Sequence, residues 1–191
     1  SNLIITDINV VHRISRVIRL KPSDKMILFD GAEHVLVSID SVNKKDIAVS
    51  IKERKVSKPL SPYISFYLPM LKKDAFEQAL FNLVSCGVNE IIPIITEKTY
   101  RSSFSPSEKE RMERIIIETA QIAKNFVLPK LHQPHFFKNA IEKSEKPLVF
   151  FDPDGTAITE ILYESLTSLS LIIGPEADLS EREKELLQWN N

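Results

Sequence analysis

Cysteine is nearly missing from this chain of 191 residues: Cys86 stands alone, which excludes an internal disulfide framework and suits a reducing cytoplasm. Glycine is scarce too, at four, so each one marks a place where the backbone turns tightly. No apolar run approaches the length that spans a bilayer, and the N-terminus has no signal-peptide core. A cytoplasmic protein with no membrane partner is expected. Repeats and low-complexity tracts are also lacking. What remains is ordinary for globular chains: 43% hydrophobic and 27% charged residues, with length enough for one sizeable domain or two small ones.

The net charge of −1 hides an asymmetry. Residues 1–58 hold 11 lysines and arginines against 7 acids, a balance of +4, and the remainder holds 14 against 19, a balance of −5. A small basic module joined to an acidic one points the first toward a polyanion, although ordinary proteins often carry as much.

The residue pattern divides at the same place. His12 to Leu20 reads as a short helix with Val11, Ile14, Val17 and Ile18 on one face and Arg13, Arg16 and Arg19 on the other. Strands are expected at Lys25–Asp30, Val35–Asp40 and Ile47–Lys52, with turns at Asp30-Gly31-Ala32-Glu33 and Val42-Asn43-Lys44-Lys45. A helical turn plus several short strands in under about sixty residues describes a small β-barrel. Ser57-Lys58-Pro59-Leu60-Ser61-Pro62 is the boundary, so that residues 1–58 form one domain and 63–191 the next.

Beyond it α and β alternate. Tyr63–Pro69 is a strand. Asp74 caps a helix with Glu77 at the reciprocal position, Phe76, Ala79, Leu80, Leu83 and Val84 form its buried stripe, and Gly87 closes it. Ile91–Thr96 is the next strand. Ser105-Pro106-Ser107-Glu108 combines an N-cap, a first-turn proline and a capping glutamate, opening a long helix that buries Met112, Ile115, Ile116, Thr119 and Ala123. Leu148–Phe151 is a strand, Asp152-Pro153-Asp154-Gly155 a turn, Thr159–Leu166 a short helix and Leu169–Ile173 the last strand. Strands spaced by helices make a largely parallel sheet, an α/β fold.

After that last strand come Gly174-Pro175-Glu176, then Ser180 and Glu183 in the S-x-x-E form of a capping box. Strand, glycine turn and helix N-terminus set backbone N–H groups at the carboxyl end of a sheet, where α/β proteins hold small polar ligands. By itself such a turn is common. Four histidines (His12, His34, His132 and His135) carry no metal pattern, since His132-Gln133-Pro134-His135 has no acid or thiol nearby in sequence; no metal is expected. The Phe136-Phe137 pair reads as core rather than as a base-stacking platform, and Cys86 as a small hydrophobe.

Four segments, taken in order, resemble the ribosomal small-subunit RNA methyltransferase E (RsmE) family of the SPOUT superfamily. His12 to Arg19 resembles the family's "H-x-x-x-V-L-R" opening, and Leu28-Phe29-Asp30-Gly31 its "lfDG" turn. Lys72-Lys73-Asp74-Ala75-Phe76-Glu77, leading to Gly87-Val88, resembles "K-G-D-K-M-E…E-L-G-V". Ile172-Ile173-Gly174-Pro175-Glu176 resembles the "IGPEGG" loop. Ala177-Asp178 stand where the family has two glycines, and Ile122 and Asn125 where it has glutamine and arginine. The family's "L-G-x-R-I-L-R-x-E-T-A" segment has no counterpart before Asn191.

The resemblance implies a PUA-like β-barrel that binds RNA, followed by a SPOUT-like (trefoil-knot) methyltransferase domain without its knot-completing C-terminal segment. It also implies an S-adenosylmethionine-dependent enzyme that methylates N3 of a uridine in 16S rRNA of the small ribosomal subunit, working as a homodimer. Gly174, Pro175 and Glu176 would hold S-adenosylmethionine with Asp152 lining the pocket, and Arg13, Arg16, Arg19, Lys72 and Lys73 would meet RNA phosphates. No catalytic base is identified. The competing class is a catalytically impaired relative that keeps the fold and binds RNA, for which Ala177-Asp178, Ile122 and Asn125 speak. A second apolar face on the long helix, Ile117 and Ile122, adds a physical reason for a dimer.

Overall fold

The computed structural model describes residues 2–99, 101–144, 147–152, 154–157 and 166–189. They divide into two compact units, Ser1–Lys58 and Pro59–Asn191.

In the first unit β1 (Asn2–Ile5), β2 (Lys25–Phe29), β3 (Glu33–Val42) and β4 (Ile47–Val56) make an antiparallel sheet in the order β1-β4-β3-β2. Strand β1 has no clear mark in the sequence. Its register against Ile47–Ser50 adds a short edge that ends where Asp7 caps α1 (Ile8–His12) through Asn9 N and Val10 N. The Asp30 turn forms as expected, its carboxylate accepting from Ala32 N and Glu33 N, each at 2.9 Å. The core is Val35, Val37, Ile39, Ile47 and Val49 on alternate sheet positions, closed by Val11 and Ile14.

The helical segment differs from expectation. Helix α1 runs into a π-helical stretch, Arg13–Ile18, ended by Arg19 in the left-handed conformation (φ 63°). Hydrogen bonding from i to i+5 widens the turn, and the 3.6-residue face is lost. Val11 and Ile14 stay buried while Val17 and Ile18 are exposed. The three arginines are all exposed, but they no longer repeat along one α-helical face.

The second unit is a parallel sheet with helices on both sides. It contains β5 (Tyr63–Pro69), α2 (Lys73–Cys86), β6 (Glu90–Ile95), α3 (Pro106–Ala123), β7 (Lys130–Leu131), β8 (His135–Phe136), α4 (Phe137–Glu142), β9 (Leu148–Phe150), β10 (Ser168–Ile172) and α5 (Glu181–Trp189). The order is β7-β6-β5-β10-β9, with β8 also pairing β6, and every pairing is parallel. Strand β5 lies in the middle, and its last five residues are buried, as covering both faces requires. One face packs Phe66, Leu68 and Ile91 against Phe76, Leu80 and Val84 of α2 and Met112, Ile116 and Ala120 of α3. The other packs Tyr67, Ile94 and Ile172 against Phe137, Ala140 and Ile141 of α4 and Leu187 of α5.

Local signals explain most of these elements. Ser105 and Glu108 form the reciprocal capping box that starts α3. Gly87 ends α2 at φ 81°, a left-handed position that selects glycine. Two expectations fail. Asp74 is inside α2 rather than at its cap, which is Lys72, because Glu77 turns away to accept both hydrogen bonds from Arg111 Nε at 2.7 Å. On α3 the innermost C-terminal position is Ala120, while Ala123, one residue before the left-handed Lys124, is exposed. Of the helix expected at Thr159–Leu166, residues 159–165 lie outside the described residues.

Candidate cofactor and RNA site

Parallel pairing fixes which residues meet at the carboxyl edge. Ile172 of β10 is in register with Phe150 of β9 and with Tyr67 of β5. Gly174 and Asp152 each follow the last paired residue of their strand by two, and Pro69 ends β5, so all three belong to the same carboxyl edge. The turn expected at Asp152 is present among the described residues: its Oδ1 accepts from Asp154 N (3.0 Å) and its carbonyl from Gly155 N (3.0 Å). Lys72 and Lys73, both exposed, follow the carboxyl end of β5 at the start of α2. The structure thus brings Gly174, Asp152 and the two lysines to one edge of one sheet. Arg13, Arg16 and Arg19 belong to the other unit.

The Gly174 loop is tightly made. Pro175 is buried, Glu176, Ala177 and Asp178 are exposed, and Asp178 N donates to the Pro175 carbonyl at 2.8 Å. The left-handed position in the loop is Asp178 (φ 59°), not Ala177 as the missing glycines implied. Aspartate tolerates that conformation because its short side chain bonds locally, here with Oδ1 accepting from Leu179 N at 2.7 Å. The carboxylate also pairs with Lys184 Nζ at 2.6 Å. Lys184 and then the Leu179 N–H hold the Asp178 carboxyl below its ordinary range, and Asp178 in turn raises Lys184. The charge expected to oppose an anionic ligand is therefore already compensated. A Cβ on Gly174 would sit 2.9 Å from Asp178 Oδ1, so the glycine is what lets the carboxylate fold back under the loop.

Two ties fix this loop to the one after β6. Lys98 Nζ donates to the carbonyls of Ala177 (2.9 Å) and Leu179 (3.1 Å). Glu183, only 3% exposed, accepts from Glu97 N (2.9 Å) and from Ser180 N (3.0 Å), while Glu183 N donates to Ser180 Oγ (3.2 Å). The capping box was legible from Ser180 and Glu183. Its second task, reaching across to Glu97, was not, and neither was Lys98. No local pattern marks a lysine whose partners lie some 80 residues away in sequence.

Phe136 and Phe137 separate. Phe137 is core at 3% exposure, whereas Phe136 is 64% exposed, which corrects the reading of both as core. The chain changes element between them: Phe136 ends the exposed strand β8, while Phe137 opens α4 and lies on its buried face with Ala140 and Ile141. His132 and His135 line a cavity of about 250 Å³ whose other walls mix Ser65, Glu90 and Lys143 with Tyr67 and Ile92. Burial pushes the His132 imidazole below its ordinary pKa. Among the described residues no group of three His, Cys, Asp or Glu could hold a metal ion, and no helix is long and apolar enough to cross a membrane.

With this geometry in place the comparisons are specific. A family model described as an RNA methyltransferase domain matches residues 58–191, the whole of the second unit and one residue more. The chain belongs to that family. It is 24% identical over 182 residues to a protein of Rickettsia conorii called ribosomal RNA small subunit methyltransferase E, covering 93% of this chain and 73% of that one. A protein of Buchnera aphidicola with the same name is 25% identical over 91% of this chain and 74% of its own length. Among solved structures, a ribosomal RNA small subunit methyltransferase E from Neisseria gonorrhoeae bound to S-adenosyl methionine superposes with a TM-score of 0.86 at 18% identity, covering all of this chain and 80% of that one. The α/β fold is thus that of these RNA methyltransferases, and the RsmE resemblance read from the four segments is borne out.

Proposed function

We propose that this chain transfers a methyl group from S-adenosylmethionine to N3 of a uridine in 16S rRNA of the small ribosomal subunit. The observation that carries the proposal is the glycine turn at Gly174, at the same carboxyl edge of the sheet as Asp152, in a chain whose relatives are ribosomal RNA small subunit methyltransferases. Gly174, Pro175 and Glu176 hold the cofactor, with Asp152 along the adjacent strand end. The loop suits a nucleoside: it is anchored by Lys98, the exposed Asp178 carboxylate is paired with Lys184, and Gly174 keeps the backbone open to close approach. The cofactor supplies a methyl group activated by its sulfonium. The protein's part is to orient the base for in-line attack and to favour loss of the N3 proton, which a cationic surround promotes by stabilising the uridine anion.

The N-terminal unit acts in this reading as a PUA-like RNA-binding barrel, with Arg13, Arg16 and Arg19 on phosphates; Lys72 and Lys73, at the carboxyl edge of the SPOUT-like domain, meet phosphates too. A homodimer is part of the proposal. Ile117 and Ile122, the latter 74% exposed, offer α3 a second apolar face for a partner subunit. The impaired-relative alternative loses its main support, since Ala177 is not in a strained conformation and Asp178 is paired.

The test is transfer of labelled methyl from S-adenosylmethionine to small-subunit rRNA, followed by nucleoside mass spectrometry. N3-methyluridine is the expected product. Label on another base or another position would refute the assignment of the target, and no label at all would refute the activity.

A further inference from the structure

Beside the proposed cofactor loop, on the far side of Glu183, the sheet edge carries a second cavity of about 360 Å³. Its lining includes Ile95, Thr96, Phe136, Lys138, Arg182 and Leu186. We infer that this cavity receives one unstacked nucleotide of a single-stranded RNA, an inference that rests on the RNA reading above and adds a base-binding subsite to it.

Three observations converge. Thr96 is 5% exposed and its Oγ1 is buried with no hydrogen-bond partner among the described residues. Buried hydroxyls are almost always paired, so one that is unpaired on a cavity wall marks the place where a ligand's polar edge belongs. Phe136, in register with Ile95 across β8 and β6, stands 64% exposed at the same opening. A flat exposed ring held at a strand end and at the start of α4 is a stacking surface with little freedom to lose. Lys138 and Arg182 add two cations. Among the described residues the ion pair of Lys138 is a long, exposed contact with Glu142 (3.8 Å), which leaves it available to a phosphate.

The one buried carboxylate at the cavity, Glu183, has both oxygens committed to Glu97 N and Ser180 N and so does not repel the ligand's backbone as a bare anion would. Glu97, exposed at the rim, supplies an acceptor for a base N–H. A polar base edge against Thr96, a flat base face on Phe136 and a phosphate on Lys138 and Arg182 together describe a nucleotide. Single-stranded RNA is bound by this combination of aromatic faces and cations.

Fluorescence anisotropy with a labelled short oligouridylate tests the site. Phe136→Ala weakens binding by about tenfold, because stacking on an aromatic ring is lost, and leaves the slope of log affinity against log salt unchanged. Phe136→Tyr, which keeps the ring, binds as the unaltered chain does. Thr96→Val keeps the shape, removes the hydroxyl and weakens binding. A direct readout is Phe136→Trp, whose indole is quenched as RNA is added, measured against the background of Trp189 in the unaltered chain. Equal affinity for Phe136→Ala and the unaltered chain, or an unquenched Phe136→Trp, overturns the subsite. Failure of the unaltered chain to bind RNA overturns both the subsite and the RNA reading. RNA binding through Phe136 without any calorimetric binding of S-adenosylmethionine upholds the subsite and defeats the methyl-transfer reading alone.

Discussion

The two faces of the parallel sheet are covered unequally. On one, α2 with 14 residues and α3 with 18 cover a continuous apolar core, with a cavity of about 310 Å³ at its margin between α3 and residues 128–133. On the other, α4 has 6 residues and α5 has 9, and between them lie buried Ser65 and Ser170 and cavities lined by polar groups. The long helices carry stability and the short ones leave room for ligands. Residues with similar burial should therefore answer differently to mutation.

The largest contrast is between two buried side chains. Phe76→Ala on the sealed face empties a fully buried site and is expected to cost about 3–5 kcal/mol in denaturant unfolding. Thr96→Val on the open face removes an unpaired hydroxyl and should leave stability unchanged or raise it. Comparable losses at both positions would show that the two faces are equally packed.

Glu183 comes next. Its carboxylate receives two backbone N–H groups in a buried place, and Glu183→Ala is expected to cost about 2 kcal/mol in the same unfolding measurement. Lys98→Met should cost less than about 1 kcal/mol, since the ammonium is largely at the surface, yet it frees the carbonyls of Ala177 and Leu179. The expected sign is a loss of S-adenosylmethionine affinity larger than the loss of stability. Equal losses would make Lys98 a general stabiliser and not an anchor of the loop.

The smallest effect is one of pH. The folded chain holds the Asp178 carboxyl below its ordinary 3.8, the value the unfolded chain regains. The Lys184 pair thus contributes fully above pH 3.8, and its contribution is lost as pH falls through the lower folded value. Melting temperatures of the unaltered chain and of Asp178→Asn should differ above that range and converge in acid. A constant difference down to strong acid would remove the pair from the account.

The same inequality explains what the sequence could tell. The sealed face was readable because α2 and α3 repeat Phe76, Leu80, Val84 and Met112, Ile116 at helical spacing, between caps with local chemistry at Ser105 and Gly87. Position Gly174 and the box at Ser180 and Glu183 were readable for the same reason: their partners are a few residues away. Lys98 on Ala177, Glu183 on Glu97, and the separation of Phe136 from Phe137 depend on strands brought together from distant parts of the chain. In the N-terminal unit, the π-helical turn at Arg13–Ile18 defeated a reading based on 3.6-residue spacing and exposed Val17 and Ile18.

Isothermal titration of S-adenosylmethionine into the full chain and into Gly174→Ala bears most directly on the account. Gly174 has no need of a left-handed backbone, so the substitution acts only through a Cβ that meets Asp178 Oδ1 at 2.9 Å and pushes that oxygen off the Leu179 N–H, disturbing the carboxylate whose Oδ2 pairs with Lys184. The account predicts measurable binding to the unaltered chain and a clear loss of affinity in Gly174→Ala. Absence of binding to the unaltered chain, or equal binding to both, would contradict it.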